Sequence, residues 1–204
     1  MKTPVLLSGL LFLSSLATGA PQTFDFKDPK GVNNATFKLD APLEIINGSA
    51  NGVSGTLTVD PAKPEATKGS LVVDARTLNV ENALMKEHLH GKEWMDTATF
   101  PEIKFTVSGL SDVKKSGDTV EATVKGTFSI KGVEKEISVS AKATLLPGKL
   151  GARTHGQAEG DLLVLRTTFK LKRSDFGINA KAPSDVVSDD VEVSLSVVGA
   201  CPKS

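Results

Sequence analysis

The sequence has one cysteine, no tyrosine and no net charge. Because Cys201 has no second cysteine to pair with, no disulfide can form within the chain, and the fold must rely on its hydrophobic core. We expect Cys201 to be an unpaired thiol near the C-terminus or, alternatively, a link to a second molecule. Lysine and arginine together number 24, as do aspartate and glutamate, so no excess charge favours nucleic acid or an anionic membrane as a partner.

Short catalytic and metal-binding motifs are also absent from the sequence. It contains no G-x-S-x-G segment and no glycine-rich phosphate-binding loop. His88 and His90 are two residues apart in a predicted helix, so their rings point to different sides, and His155 is distant in the sequence. We therefore expect that the protein is not an enzyme and has no metal site. An active site assembled from distant serine, histidine and aspartate residues remains the alternative, and it would act as a hydrolase or isomerase on lipid-like substrates.

An apolar run near the N-terminus is too short to span a bilayer. Lys2 precedes the run Val5–Leu16, and small residues follow it at positions 17–20. This pattern predicts a signal peptide over residues 1–19, with cleavage after Gly19 because Pro21 hinders cleavage directly before it. The mature domain is then 20–204, periplasmic or secreted and without an integral membrane segment. A retained N-terminal anchor is the alternative.

Strict alternation of apolar and polar residues dominates the centre of the chain. From Thr119 to Ile130 the even positions are apolar or small and the odd positions are polar, and Ile137–Leu145 alternates in the same way. Successive side chains of a strand point to opposite faces, so both segments are predicted strands with one apolar face. Asn47-Gly48 is a predicted turn. The other predicted strands are 23–27, 35–39, 43–46, 53–59, 70–75, 102–107, 162–171 and 191–197.

The segment Asn79–Asp96 interrupts this rhythm. Its apolar residues, which include Leu84, Met85 and Leu89, recur at helical spacing. We therefore predict one short amphipathic helix followed by a loop.

The predicted fold is all-β, with eight or more antiparallel strands and this one helix inserted. Closing such a sheet into a barrel removes its exposed edges, and eight strands enclose an interior wide enough for side chains or one slender ligand. Small residues at inward positions favour a cavity, although a packed interior remains the alternative. They are Gly55, Ala75, Ala122, Gly126, Ala141 and Ala143.

Several short segments match one known family in order and spacing. Phe100–Phe105 is similar to its F-P-x-I-x-F pattern, and Arg173–Ile178 to its R-x-D-F-G-I signature. The chain therefore resembles the YceI-like family over nearly all of the predicted mature domain. The other matching segments are Asp74–Leu78, His88-Leu89, Trp94-Met95-Asp96, Gly126–Ile137 and Val187–Val191.

The resemblance implies an eight-stranded, lipocalin-like antiparallel barrel with a long apolar pocket. It also implies a bound polyisoprenoid or other long-chain lipid, no cofactor, no catalysis, and the possibility of a homodimer. We therefore expect an exported protein that holds an isoprenoid or quinone-like lipid for transport or storage. The alternative is a structural or protein-interaction barrel with a packed interior and no ligand.

Candidate ligand contacts follow from the inward positions and from the predicted helix region. Trp94 and Phe100, in the predicted helix region and the loop after it, are also predicted either to gate one end of the barrel or to plug it. The full set is Trp94, Phe100, Phe105, Val107, Val124, Phe128, Ile130, Val139, Arg173 and Phe176.

Charged and polar candidates are Arg173 and His88. The guanidinium of Arg173 suits a phosphate or carboxylate head group, and the alternative is an ion pair with Asp175 that fixes the loop. His88 either contacts a head group or is an ordinary surface residue.

Overall fold

The two alternating segments form a long hairpin. In the computed structural model, which describes residues 20–203, strand β8 (Thr119–Ile130) pairs along its whole length with β9 (Val133–Leu146). The turn between them, Lys131-Gly132, has positive φ angles of 49° and 74°, which suits the right-handed twist of the flanking strands. The predicted signal peptide, residues 1–19, lies outside the described residues.

Eight strands close into an antiparallel barrel, as predicted. The bounds of the other strands are β1 Gln22–Asp25, β2 Asn34–Asp40, β3 Ile45–Ala50, β4 Val53–Val59, β5 Lys68–Asp74, β6 Asn79–Val80, β7 Glu102–Ser116, β10 Gly160–Lys172 and β11 Asp190–Pro202. The order around the barrel is β1-β4-β5-β7-β8-β9-β10-β11, and β11 returns to β1 where Ala200 lies opposite Asp25. The remaining strands β2, β3 and β6 extend from β11 as a flap on one side.

The structure has a short helix followed by a loop in the predicted segment. Helix α1 spans Ala83–His90, because Asn82 caps its start by accepting a hydrogen bond from the Met85 amide (3.0 Å) and Gly91 ends it. A second, four-residue helix, α2 (Leu150–Arg153), lies between β9 and β10. Within residues 20–203, no helix is both long and apolar enough to cross a membrane.

The predicted turn at Asn47-Gly48 is wrong. Both residues lie inside β3, opposite Lys38 and Phe37 of β2, and the chain turns instead between Ala41 and Glu44. The Phe37 ring occupies the position that a side chain at residue 48 would need. The glycine therefore serves close packing within a strand, and its sequence context resembles a turn by coincidence.

The two ends of the barrel differ in their connections. At the helix end lie α1, the β8–β9 turn and the segment 173–189, which includes a turn of 3₁₀ helix at Arg173–Phe176. At the loop end lie the β4–β5, β7–β8 and β9–β10 connections, the last of which contains α2.

Candidate ligand-binding cavity

A cavity of about 520 Å³ occupies the barrel interior. Its wall is formed by the inward side chains of the alternating strands, which are almost all apolar. On β8 these are the predicted even positions, and on β9 they are the predicted odd positions. Polar side chains border the cavity mainly near the two ends, where Glu44 and His88 lie at the helix end and Lys115 and Asp118 at the loop end. The cavity is therefore shaped for an apolar, elongated ligand.

Eight of the ten candidate ligand contacts border this cavity: Trp94, Phe105, Val107, Val124, Phe128, Ile130, Val139 and Arg173. The structure places the other two in the wall instead. The Phe100 ring lies against Gly132 in the β8–β9 turn, and Phe176 is 2% exposed and contacts Phe128 edge to face at 6.0 Å. Phe176 thus supports the cavity-lining Phe128, whereas Phe100 packs against the β8–β9 turn.

The helix half of the cavity is narrowed by a cluster of aromatic rings. Phe128 stands at its centre and meets Phe105, Phe169 and Phe176 edge to face, with centroids 6.1, 5.9 and 6.0 Å away. Phe169 was not among the sequence candidates. The signal was available, because Phe169 shares the alternation of β10 with Leu165 and Leu171, but Thr167 interrupts the apolar series.

The lining of the loop half of the cavity includes three small residues. Ala122 lies directly opposite Ala141 in the β8–β9 hairpin, and Ala143 lies between Val120 and Leu165 on the neighbouring strands. These three alanines leave the space that the sequence predicted.

The other small inward residues leave no such space. The Phe105 ring covers Gly126, and the backbone of Ser70 lies against Gly55, where a side chain would collide with it. Ala75 is fully buried in the core beside the aromatic cluster and does not border the cavity. For these positions, the sequence inference of empty volume was wrong because neighbouring groups fill it.

Arg173 is buried at the helix end of the barrel, where it borders the cavity. It is 2% exposed, and its guanidinium lies 5.9 Å from the centre of the Trp94 ring. An arginine side chain has five N–H groups, and all five donate to backbone carbonyls here. The acceptors are the carbonyls of Ile178, Asn179, Ala182, Val187 and Ser188. No N–H of Arg173 remains for a ligand head group.

The predicted ion pair between Arg173 and Asp175 is wrong. The Asp175 carboxylate lies 3.6 Å from Lys135 of β9 instead, because the 3₁₀ turn directs it away from the cavity and toward the barrel surface. Asp189 is the acidic group that faces the arginine. Burial favours a raised pKa for Asp189, but two hydrogen bonds from Ser174 and the charges of Arg173 and Lys172 outweigh it, and the pKa lies below its ordinary value.

Strand pairing in the barrel wall is incomplete next to the aromatic cluster. Strands β9 and β10 pair only as far as Ala141 and Thr167, where the Thr167 hydroxyl donates to the Ser140 carbonyl at 2.7 Å. Beyond this point the two strands separate toward the helix end. The 3₁₀ turn occupies the gap, with the Phe176 ring against Phe128 on its inner side.

The two helix histidines face different surroundings, as their spacing predicted. His88 borders the mouth of the cavity, whereas the His90 ring hydrogen-bonds the Thr97 hydroxyl at 3.0 Å and the Leu78 carbonyl at 2.9 Å. Within the described part of the chain, no three histidine, cysteine, aspartate or glutamate side chains are grouped in a way that could hold a metal ion.

A family model for the YceI-like domain matches residues 28–199. The chain belongs to the YceI-like family. Curated relatives include the protein YceI of Salmonella newport and of Salmonella arizonae, each 28% identical over 199 residues, which is 95% of this chain and 93% of the relative.

Solved structures of the same fold include BcnA from Burkholderia cenocepacia, with a TM-score of 0.65 and 19% identity over 81% of this chain and 95% of that one. A Campylobacter jejuni YceI protein gives a TM-score of 0.60 and 24% identity over 77% of this chain and 84% of that one. A domain from Saccharophagus degradans is described as polyisoprenoid binding and implicated in plant cell wall breakdown. It gives a TM-score of 0.62 and 14% identity over 89% of this chain and 99% of that one. At these identities, the structural similarity establishes the fold of a YceI-like barrel.

Proposed function

We propose that this YceI-like protein binds a long-chain apolar lipid, isoprenoid or quinone-like, inside its barrel and carries or stores it outside the cytoplasm. The observation that carries the proposal is the apolar cavity of about 520 Å³, which lies within the range of about 300–1,000 Å³ typical of small-molecule sites. The description of the Saccharophagus degradans domain as polyisoprenoid binding supports the same class of ligand.

The mechanism is burial of a hydrocarbon chain without chemistry. Each methylene transferred from water to the cavity contributes about 0.8 kcal/mol to binding. Binding therefore needs a long hydrocarbon chain and an apolar cavity rather than a particular side chain. The head group stays at a mouth of the barrel, because the guanidinium of Arg173 is fully engaged by the protein. The cavity favours this function over a structural barrel with a packed interior, and we propose no catalytic role.

The first test is native mass spectrometry of the protein purified from a host that exports it, followed by organic extraction. We expect a polypeptide that begins at Ala20, a bound hydrophobic molecule released by solvent, and a mass that shows whether the chain forms a homodimer. A polypeptide that retains Met1 would contradict the proposed cleavage after Gly19. An empty protein that also fails to bind added polyprenols and quinones would contradict the proposed lipid binding.

A cavity-filling variant makes this test specific to the barrel interior. Ala122→Leu/Ala141→Leu fills the space between two opposite cavity residues, so we expect bound lipid to be lost while the fold persists. Thr123→Leu/Ser140→Leu is the matched control, because this adjacent pair of the same hairpin points to the outer face. Extraction and native mass spectrometry of both variants measure the effect. Equal lipid content in the two would place the ligand elsewhere.

A further inference from the structure

Large apolar side chains stand exposed at the helix end of the barrel. Within the described residues, five are exposed, and four of them lie on two short segments at this end. Leu43 (70% exposed) and Ile45 (61%) belong to the β2–β3 hairpin, and Leu84 (62%) and Met85 (37%) belong to the first turn of α1. We call these four residues the apolar rim.

Strand pairing brings the two segments of the rim together. Gly48 of β3 lies opposite Val80 of β6, and the strands are antiparallel, so the chain leaving β6 enters α1 level with the start of β3. Both segments also border the cavity, through Ile46 of the hairpin and through Met85 and His88 of the helix. The rim therefore adjoins the mouth of the cavity.

The charges on these segments carry no basic excess. Residues 42–46 and 81–90 contain four charged side chains, all exposed, and three of them are acidic: Glu44, Glu81 and Glu87 beside Lys86. Attraction to anionic lipid requires clustered lysine or arginine, which is absent here. Docking through these two segments must therefore be driven by their apolar side chains.

We propose that the apolar rim docks the barrel on the surface of a neutral lipid bilayer, with the cavity mouth facing the membrane. The proposal rests on the proposed lipid-binding function, since the rim adjoins a mouth of the cavity that holds the lipid. In this orientation a hydrocarbon chain moves between bilayer and cavity without crossing water. Four separated side chains on a turn and a helix end suit insertion among lipid head groups. They are too few for a stable interface between two copies, which buries about 800 Å² per partner.

The test is flotation of the mature protein with phosphatidylcholine vesicles. We expect the wild type to float and Leu43→Gln/Leu84→Gln to lose vesicle affinity by about tenfold or more, because two exposed leucines no longer enter the bilayer. Val32→Gln is the matched control and should float like the wild type. Val32 is 60% exposed but lies at the loop end, in a β1–β2 loop where Asp28 pairs with Arg153 of α2 at 3.2 Å. Raising salt from about 0.1 M to about 1 M should not release the wild type.

Ligand binding is measured separately on the same three proteins. Trp94 is the only tryptophan, it borders the cavity and the chain has no tyrosine, so quenching of its fluorescence by an isoprenoid quinone reports cavity occupancy. We expect equal quinone affinity in all three, because neither Leu43 nor Leu84 borders the cavity.

Three results would overturn docking: a wild type that does not float, a rim variant that floats equally well, or a rim variant that changes the oligomeric state instead. Rim-dependent flotation without quinone or polyprenol binding would support the membrane contact and reject the lipid-binding function.

Discussion

The two halves of the barrel share one alternating pattern of inward and outward residues, but they differ in the size of the inward side chains. In the helix half Phe105, Phe128 and Phe169 face inward, and their edge-to-face rings narrow the interior. In the loop half the same strands carry Ala122, Ala141 and Ala143, and the space stays open. Period-two alternation therefore decides which side chains face inward, whereas side-chain volume decides whether the interior is wall or cavity.

The two ends of the barrel also differ in the buried polar side chain that holds each of them together. At the loop end Asn33, 1% exposed, donates to the Phe26 and Val198 carbonyls and accepts from the Val198 amide, at 3.0, 3.1 and 2.8 Å. At the helix end Arg173 supplies five donors and a charge. The helix end therefore depends more on one side chain than the loop end does, because Arg173 holds the whole segment 178–188 in place.

The largest effect is expected for Arg173→Met. Methionine fills part of the volume but leaves buried carbonyls without donors, each worth about 1–3 kcal/mol, so we expect a loss of about 5 kcal/mol or more in the free energy of unfolding. Arg173→Lys keeps the charge but supplies only three donors, so its loss should be intermediate. Urea denaturation measures both. Equal stability of wild type and Arg173→Met would show that the arginine does not hold the helix end.

Phe128→Ala should have the next largest effect, because it removes the central ring of the aromatic cluster. Loss of a buried phenylalanine costs about 3–5 kcal/mol, and the vacated volume joins the cavity. We expect a lower urea midpoint together with binding of a bulkier or longer lipid, measured by denaturation and by extraction.

Val124→Ala, midway along the same strand and also bordering the cavity, is the control for the change in volume and should destabilise less. If both variants lose the same stability, the aromatic half is no better packed than the middle of the barrel.

Much of the barrel could be predicted from the sequence because its signal is local. The alternation in β8 and β9 assigns each side chain to a face without any knowledge of the neighbours, and the edges of so many strands favour closure. The same reasoning identified six of the eight cavity-lining candidates, the other two being Trp94 and Arg173.

Features set by distant neighbours could not be predicted in this way. The role of Gly48 depends on Phe37 across the sheet, and the volume at Gly126 depends on Phe105. The acceptors of Arg173 are main-chain carbonyls, so no side-chain pattern reveals them. The acidic residue two positions away, Asp175, was the obvious local partner and was the wrong one.

The smallest expected effect is that of two aspartates on stability at low pH, and measuring it compares the two ends of the barrel directly. Asp189 at the helix end and Asp28 at the loop end both have a pKa below the ordinary 3.8. Burial favours a raised pKa at Asp28 too, but hydrogen bonds from the amides of Asn33, Lys30 and Val32 and the charge of Arg153 outweigh it. A lowered folded-state pKa stabilises the protein above pH 3.8, and this contribution is lost as the pH falls through the folded-state value.

The wild type should therefore unfold at lower urea concentration as the pH drops from 5 toward 3. Asp189→Asn and Asp28→Asn should each be less stable at pH 7 and less sensitive to acid. Asp175→Asn is the control, since its exposed pair with Lys135 contributes little to stability. A larger acid effect from Asp189 than from Asp28 would mean that the helix end depends more on its ionised carboxylate than the loop end does. Equal effects would mean that the two ends depend on their carboxylates to the same extent.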